Sequence, residues 1–584
     1  MQQSCAEMRK IMNEYPNQYP TKCYNETNAF GITREEKEER ACHFRLFSLP
    51  SIIYALFYTF CLYKNASGIT YPFFIGGTLF YFFLSLKKLG ISAKKDSVFY
   101  VISIMLLGIS TFCTDNLNII FMNKLGIFLL TFILFIHNFF ADTLWNLLKY
   151  GFAILQTILG SLILIGRPFS DFICYREINK ENGNIKKHYA IYIFIGILIS
   201  IPLTTFILLL LCSADAVFYY LFQGLSFSAF VYWLINHFTD LCFSMLFSFF
   251  SSYCILTFLK KKSIREEISD KRTGEPLIAI TFTSILSVIY FLFSAVQIIY
   301  LFAGKGDIPS TYAYPDTYAS RYSSYAREGY FQLLFVCMIN LFLVLICLNR
   351  FKENKALKVI LTIISLCTYI MMASSAMRMI MYIRYYDLTF LRIFVLWSLV
   401  VIFFIMTGIL FYIYKKDFPL CKYCITIVTI LYIGFSFSHP DYFIAKYNIS
   451  QIFADEDYES DRYLYWDSSP KKCHYDTDYL IGLSADAAPA ILHPETLSAL
   501  ISGPEKYDRW KKHWSLEYGF ESSKPNRWME YYAQNIDDYI GKIEKEGSKI
   551  RTFNLSRSAA KKYTDLYHMA LFTKNKCPLF YCLI

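Results

Sequence analysis

Residues 377–394 read MRMIMYIRYYDLTFLRIF. Arg378, Arg384, Asp387 and Arg392 stand there in an otherwise apolar stretch, interleaved with Tyr382, Tyr385 and Tyr386. Arg378, Tyr382 and Tyr385 follow i, i+4, i+7 spacing and so share one face of a helix. Ionisable groups within hydrocarbon are costly and ordinarily face the protein interior with a partner. A guanidinium is a planar, bidentate donor suited to phosphate or carboxylate, so the chemistry on offer is anion binding. The same residues admit a structural role. Asp387 would cap the following helix, Arg384 would reach to headgroups, and Arg378 would pair with an acid to hold the bundle.

A second polar group is expected at the same depth. The stretch FVYWLINHFTDLCF supplies His237 and Asp240 within about one helical turn, and LCSADAVF supplies Asp215. YAREGYFQLL adds Arg327 and Glu328. Asp215, His237 and Asp240 would be counter-charges to the arginines. Alternatively, His237 beside Asp240 could move protons, because histidine titrates near neutral pH.

These residues need a frame, and composition supplies it. The 584 residues are 55% hydrophobic and 19% aromatic but only 18% charged, where a soluble domain carries about a quarter charged residues. Apolar runs long enough to cross about 30 Å of hydrocarbon as helices recur near 46–63, 70–86, 98–114, 125–140, 190–211, 230–259, 277–302, 330–349, 359–383, 389–414 and 423–438. The expected fold is all-α: a polytopic membrane helix bundle of about 11 spans (46–438) between a tail at 1–45 and a helical extracytoplasmic domain at 439–584. The 17 cysteines are dispersed mostly through apolar runs, not set out as a disulfide framework. The net charge of +11 lies mostly at span boundaries, so it marks topology and not nucleic acid.

Alternate connecting segments hold 30 Lys and Arg against 6 in the opposite set, which places the N-terminus in the cytoplasm by the positive-inside rule. An odd span count then puts 439–584 outside. GFAILQTILGSLILIG (151–166) is apolar but short and lies among basic residues. Counting it as a span would destroy the alternation, so it reads as an interfacial or re-entrant helix. Beyond 439 the chain turns polar, with helical patterns near 478–492, 494–502, 505–518, 526–546 and 555–574. The apolar link at 438–450 needs a covering surface. The C-terminal region is therefore expected to dock on the bundle, with Asp478 or Asp486 near Arg321, Arg327 or Arg384.

Other signals are weak. CKYC (421–424) is a lone CxxC without a second pair. DEDYESD (455–461) lacks the glycine and terminal glutamate of a calcium loop. Asn-x-Ser/Thr triplets at 25, 65, 448 and 554 are frequent enough to arise by chance. No phosphate-binding loop, dinucleotide fingerprint or nucleophile elbow is present. No metal or cofactor is implied.

Five stretches, LLLCSADAVF (209–218), YSSYAREGYFQLLFVCMIN (322–340), MYIRYYDLTFLRIFVLW (381–397), HPDYFIAKYNI (439–449) and TDYLIGLSADAAPAIL (477–492), occur in an order that resembles a bacterial multi-pass membrane family, domain of unknown function 4173, a relative of 4153. That family usually has glycine where this chain has Asp387, a residue that also tolerates a left-handed backbone. The resemblance implies a multi-pass protein of the bacterial cytoplasmic membrane; the family has no established activity, so it implies nothing about chemistry.

Three functional classes compete. The favoured one is transport or handling of an anionic solute or lipid headgroup at the outer leaflet, with Arg378, Arg384 and Arg392 binding the anion. The second is a non-enzymatic envelope sensor or assembly factor. The third is an intramembrane transferase or hydrolase, weakened because no nucleophile–base pair is recognisable.

Overall fold

The computed structural model describes residues 33–142, 145–181, 227–262, 272–303, 318–415, 417–454, 477–493, 527–545 and 550–574, with a few single positions besides. The run expected at 190–211, the acidic turn at 455–461 and the helical patterns at 494–502 and 505–518 lie outside the described residues, apart from single positions in the first. Among the described residues the chain is all-helical, without strands.

The helices are α1 (Arg34–Leu62), α2 (Thr70–Lys88), α3 (Ser97–Cys113), α4 (Leu117–Phe139), α5 (Leu147–Ile163), α6 (Arg167–Glu181), α7 (Phe227–Lys260), α8 (Pro276–Ala303) and α9 (Tyr318–Arg350). There follow α10 (Lys355–Tyr386), α11 (Phe390–Tyr414), α12 (Leu420–Ser436), α13 (Pro440–Ala454), α14 (Thr477–Gly482), α15 (Ala488–Ile491), α16 (Arg527–Lys545) and α17 (Leu555–Lys574).

Seven of these (α1, α4 and α7–α11) contain segments long and apolar enough to cross a membrane. The number is nine if the bent pairs α5–α6 (57°) and α12–α13 (55°) each form one span. The chain is thus an integral membrane protein of the all-α class. The expected spans at 70–86 and 98–114 coincide with α2 and α3, which fall short of that measure. α3 is apolar but has 17 residues, and α2 is diluted by glycine, tyrosine and two terminal lysines. α1 begins earlier than the expected 46, because its polar first turns are tied by Arg34–Glu38 (3.5 Å) and Arg40–Glu36 pairs at i, i+4. The bend at 164–166 gives 151–166 the geometry of a broken span or a re-entrant loop.

Two compact units make up the chain. The first combines Met1–Leu56 with Thr157–Lys261, the second Phe57–Gln156 with Lys262–Ile584. In the first, α6 and α7 pack together, and Tyr253 Oη donates to Asp171 Oδ2 at 2.9 Å. Arg167 Nε lies 3.3 Å from Asp171 Oδ1, and Lys37 Nζ lies 3.0 Å from Glu177.

In the second unit α10 packs on α8, α9 and α11, α11 on α12, and α12 on α3 and α4. Asn123 of α4 is buried where α3, α4 and α12 meet. Its Oδ1 accepts from Tyr432 Oη and Ser436 Oγ, both at 2.7 Å, so the apolar interface carries one satisfied polar knot. The helices beyond 439 form a head on this bundle. Ile444, Ala487, Leu492, Tyr539 and Ala560 share its core, with Phe390 and Ile393 of α11 packed against it. The small alanines of SADAAPAIL let α13, α15 and α17 approach closely.

Candidate functional site

α10 ends and α11 begins at a tight turn. Asp387 closes α10 with φ 66° and ψ −175°, an extended positive-φ conformation that glycine adopts readily and that costs an aspartate strain. The head grips this turn. Leu388 N donates to Asn448 Oδ1 at 2.8 Å and Asn448 Nδ2 returns to Leu388 O at 3.0 Å. Phe390 N donates to Tyr479 Oη at 2.9 Å. One side chain and one hydroxyl from the head thus satisfy backbone groups that a helix terminus leaves open.

The arginines are set by this hairpin. Arg392 donates through Nη1 to the Asp387 carbonyl, and its guanidinium lies 4.4 Å over the Tyr382 ring, a cation–π contact. Tyr382 in turn lies 5.9 Å from the Tyr330 ring of α9. Arg384 is exposed. Arg378, one turn below Tyr382, is 9% exposed and donates to Gln297 Oε1 of α8 at 3.2 Å. Ser374 Oγ donates to the same oxygen at 2.5 Å. An acid, Asp240 or Asp215, is expected beside Arg378; the described contact is an amide.

The remaining candidates are placed only in part. Tyr385, Arg327 and Glu328 sit on α10 and α9 with side chains outside the described residues, as is Asp215 altogether. His237 is half-buried and Asp240 exposed on α7, in the first unit. Tyr382, Asp387 and Arg392 are therefore the expected residues that the described structure joins, with Arg378 on the same helix.

A denser cluster sits where the head meets the α3–α4 turn. Asp486 Oδ2 accepts from Thr114 Oγ1 at 2.5 Å and faces His439 Nδ1 at 3.3 Å. Its Oδ1 accepts from the Asp115 amide at 2.9 Å and from Ser556 Oγ. Asp441 Oδ1 accepts from Asn116 Nδ2 at 2.7 Å, and its Oδ2 from the Ser484 amide (3.0 Å) and hydroxyl (2.6 Å). Asp115 Oδ1 pairs with Arg557 Nε at 2.7 Å. Asn554 Nδ2 donates to Thr114 O at 2.9 Å and Ser67 O at 3.1 Å. None of these buried side-chain atoms lacks a hydrogen-bond partner.

Burial alone would raise the Asp486 carboxyl. Hydrogen bonds from His439, Ser556, Thr114 and the Asp115 amide outweigh it and hold the group below the usual carboxylate range. The hydrogen bond to Asp486 raises His439 against the opposing effect of its own burial. The cluster is a clamp. Its oxygens are saturated by protein donors, and no group of three or more His, Cys, Asp or Glu fit to hold a metal ion occurs among the described residues.

Asp478 or Asp486 is expected near Arg321, Arg327 or Arg384; the side chains of Arg321 and Arg327 lie outside the described residues, and the contacts described for Asp486 are with Thr114, Asp115, His439 and Ser556. Sequence reasoning missed most of the clamp, although a signal was present. Three Asn-x-Ser triplets dismissed as chance hold Asn65, Asn448 and Asn554, each buried and hydrogen-bonded to backbone. The four quoted stretches from 322 onward meet here. Tyr330 touches Tyr382, Leu388 pairs with Asn448, and Asp441 binds Ser484.

No curated protein and no solved structure is significantly similar to the chain. A family model described as Domain of unknown function (DUF4153) matches residues 101–493, about two thirds of the sequence, from within α3 to just beyond α15. The chain belongs to this family of unknown function, DUF4153.

Proposed function

We propose that the protein binds an anionic group, the phosphate or carboxylate of a lipid headgroup or solute, at the head-side end of the α10–α11 hairpin. The single observation that carries this reading is the set Arg384, Arg392 and Arg378 on one hairpin whose turn is fixed by Asn448 and Tyr479 of the head. Arg392 is held in place by stacking on Tyr382. Arg384 is exposed and open to a ligand. Preorganised guanidinium groups lose little freedom on binding an oxyanion. The charge asymmetry of the connecting segments puts this end outside, with the N-terminus in the cytoplasm and about 11 spans in all. Within that reading the protein belongs to a bacterial cytoplasmic membrane and also resembles domain of unknown function 4173.

The test is native mass spectrometry of the full chain extracted from bilayers of phosphatidylcholine with phosphatidylglycerol, with a parallel titration of inorganic phosphate read by thermal unfolding. Arg384→Gln and Arg392→Lys should each retain less phosphatidylglycerol than the wild type, since lysine lacks the bidentate fork. A phosphate effect lost in the same variants identifies a solute site. Unchanged lipid retention together with no phosphate effect would sink the proposal.

A second reading, a non-enzymatic envelope sensor or assembly factor, is favoured by the clamp. A head held by saturated buried groups presents a fixed surface to a partner. Anion binding independent of the head would separate the two readings.

A further inference from the structure

We infer that α6 is a membrane-surface helix that docks on anionic phospholipid headgroups. Its exposed residues share one face: Phe169, Ile173, Arg176, Glu177 and Lys180 fall within about 100° of one another at about 100° per residue. Pro168, Asp171 and Cys174 occupy the buried side. Phe172 and Tyr175 hold that side through ring contacts with Phe44 of α1 at 5.4 and 5.5 Å.

The chemistry of the face changes along its length. Phe169 is 63% and Ile173 47% exposed, and Leu159 and Leu162 before the bend and Ile165 within it are exposed as well. Cations then replace apolar groups within three residues, or about 4.5 Å of helix. Glu177, at the edge of this face, is bound to Lys37 at 3.0 Å, so with Arg176 and Lys180 the face keeps a net positive charge at this end. An apolar run that ends in arginine and lysine over so short a distance matches the boundary between acyl chains and anionic headgroups. The 57° bend after α5 turns the chain out of the direction of that helix, as a helix leaving the hydrocarbon for its surface must do. A protein partner or second copy would not require exposed apolar residues to give way to cations at one level along the helix.

Hydrogen–deuterium exchange of peptides spanning 167–181 tests the inference. The full chain is reconstituted in nanodiscs of phosphatidylcholine alone or with one part in three phosphatidylglycerol. Phosphatidylglycerol should slow exchange, roughly fivefold for each cation engaged. Arg176→Gln with Lys180→Gln should abolish the difference while leaving exchange in phosphatidylcholine unchanged. Phe169→Asn with Ile173→Asn should speed exchange in both lipids. Equal exchange in the two lipids would overturn the inference, as would a lipid effect that survives in R176Q/K180Q. Slowing that depends on two copies per disc and not on phosphatidylglycerol would overturn it in favour of self-association.

Discussion

Asp486 and Asp142 are both carboxylates with fully buried side chains in the second unit, yet their donors differ in origin. Asp142 lies just beyond α4. It accepts from His137 Nδ1 at 2.6 Å and from Tyr150 Oη, both within eight residues, and pairs with Lys94 Nζ at 3.3 Å. Burial opposes its ionisation, but the bonds from His137 and Tyr150 and the charges of His137 and Lys94 prevail, holding it at about 2. Asp486 gathers donors from residues 114–115, 439 and 556, which no local turn could bring together. Asp142 finishes a helix end; Asp486 joins the head to the bundle. The number of donors is similar, and the sequence distance they bridge decides the consequence.

The largest expected effect breaks that comparison directly. Asp486→Leu leaves the Asp115 amide, two hydroxyls and an imidazole without their acceptor. Stability should fall by about 3–5 kcal/mol, as for a broken buried network. Asp142→Leu should cost about 1–3 kcal/mol, because Lys94 keeps its 2.6 Å bond to the Phe140 carbonyl. Thermal or denaturant unfolding in detergent measures both. Equal losses would mean that the clamp has no special role.

The next effect sharpens the account at the α1–α2 turn. A Cβ at Gly68 would lie 2.5 Å from Arg551 O and 2.7 Å from Thr552 Cα, both backbone atoms. Ile69 N also donates to Phe553 O at 2.8 Å, so this segment of the head lies directly on the turn. Gly68→Ala should therefore cost about 1–3 kcal/mol by overpacking. Gly76→Ala meets nothing within 4 Å inside α2 and should be neutral or stabilising by up to about 1 kcal/mol. The paired melting temperatures check this.

The smallest effect is a pH dependence. The raised His439 contributes stability fully below about pH 6.5, and the contribution is lost as pH rises through its folded value. The lowered Asp486 contributes above about pH 4 and loses its part as pH falls through its folded value. The clamp should be tightest between these limits. His439 has φ 46°, so His439→Asn suits the left-handed backbone; it should flatten the alkaline limb and, by removing one of the bonds that hold Asp486 low, weaken the acid limb in part. An unchanged alkaline limb in that variant would assign the dependence elsewhere.

Much of the frame was legible because hydrophobic length and helix signals are local. α10, α11 and α17 fall within a few residues of the expected 359–383, 389–414 and 555–574, and the docking of the C-terminal region follows from an apolar link that needs cover. The clamp was not legible, since its partners are 43 to 442 residues apart and each segment alone reads as an ordinary turn. Asn554 illustrates the difficulty. Its place before α17 marks a helix start, but nothing local says that its amide also reaches Thr114 and Ser67. The arginines were found because charge in an apolar run is conspicuous. Their positioning by Asn448 and Tyr479 was not, because those residues look unremarkable in sequence.

The most direct measurement compares hydrogen–deuterium exchange across the whole chain in the wild type and Asp486→Leu, both in nanodiscs. If the Asp486 clamp seats the head and the head fixes the arginine hairpin, protection should fall together in 478–492, 550–567 and 386–392. The segment 137–150 around Asp142 should be unaffected. Loss confined to 485–487, or loss spread equally to 137–150, would contradict the account.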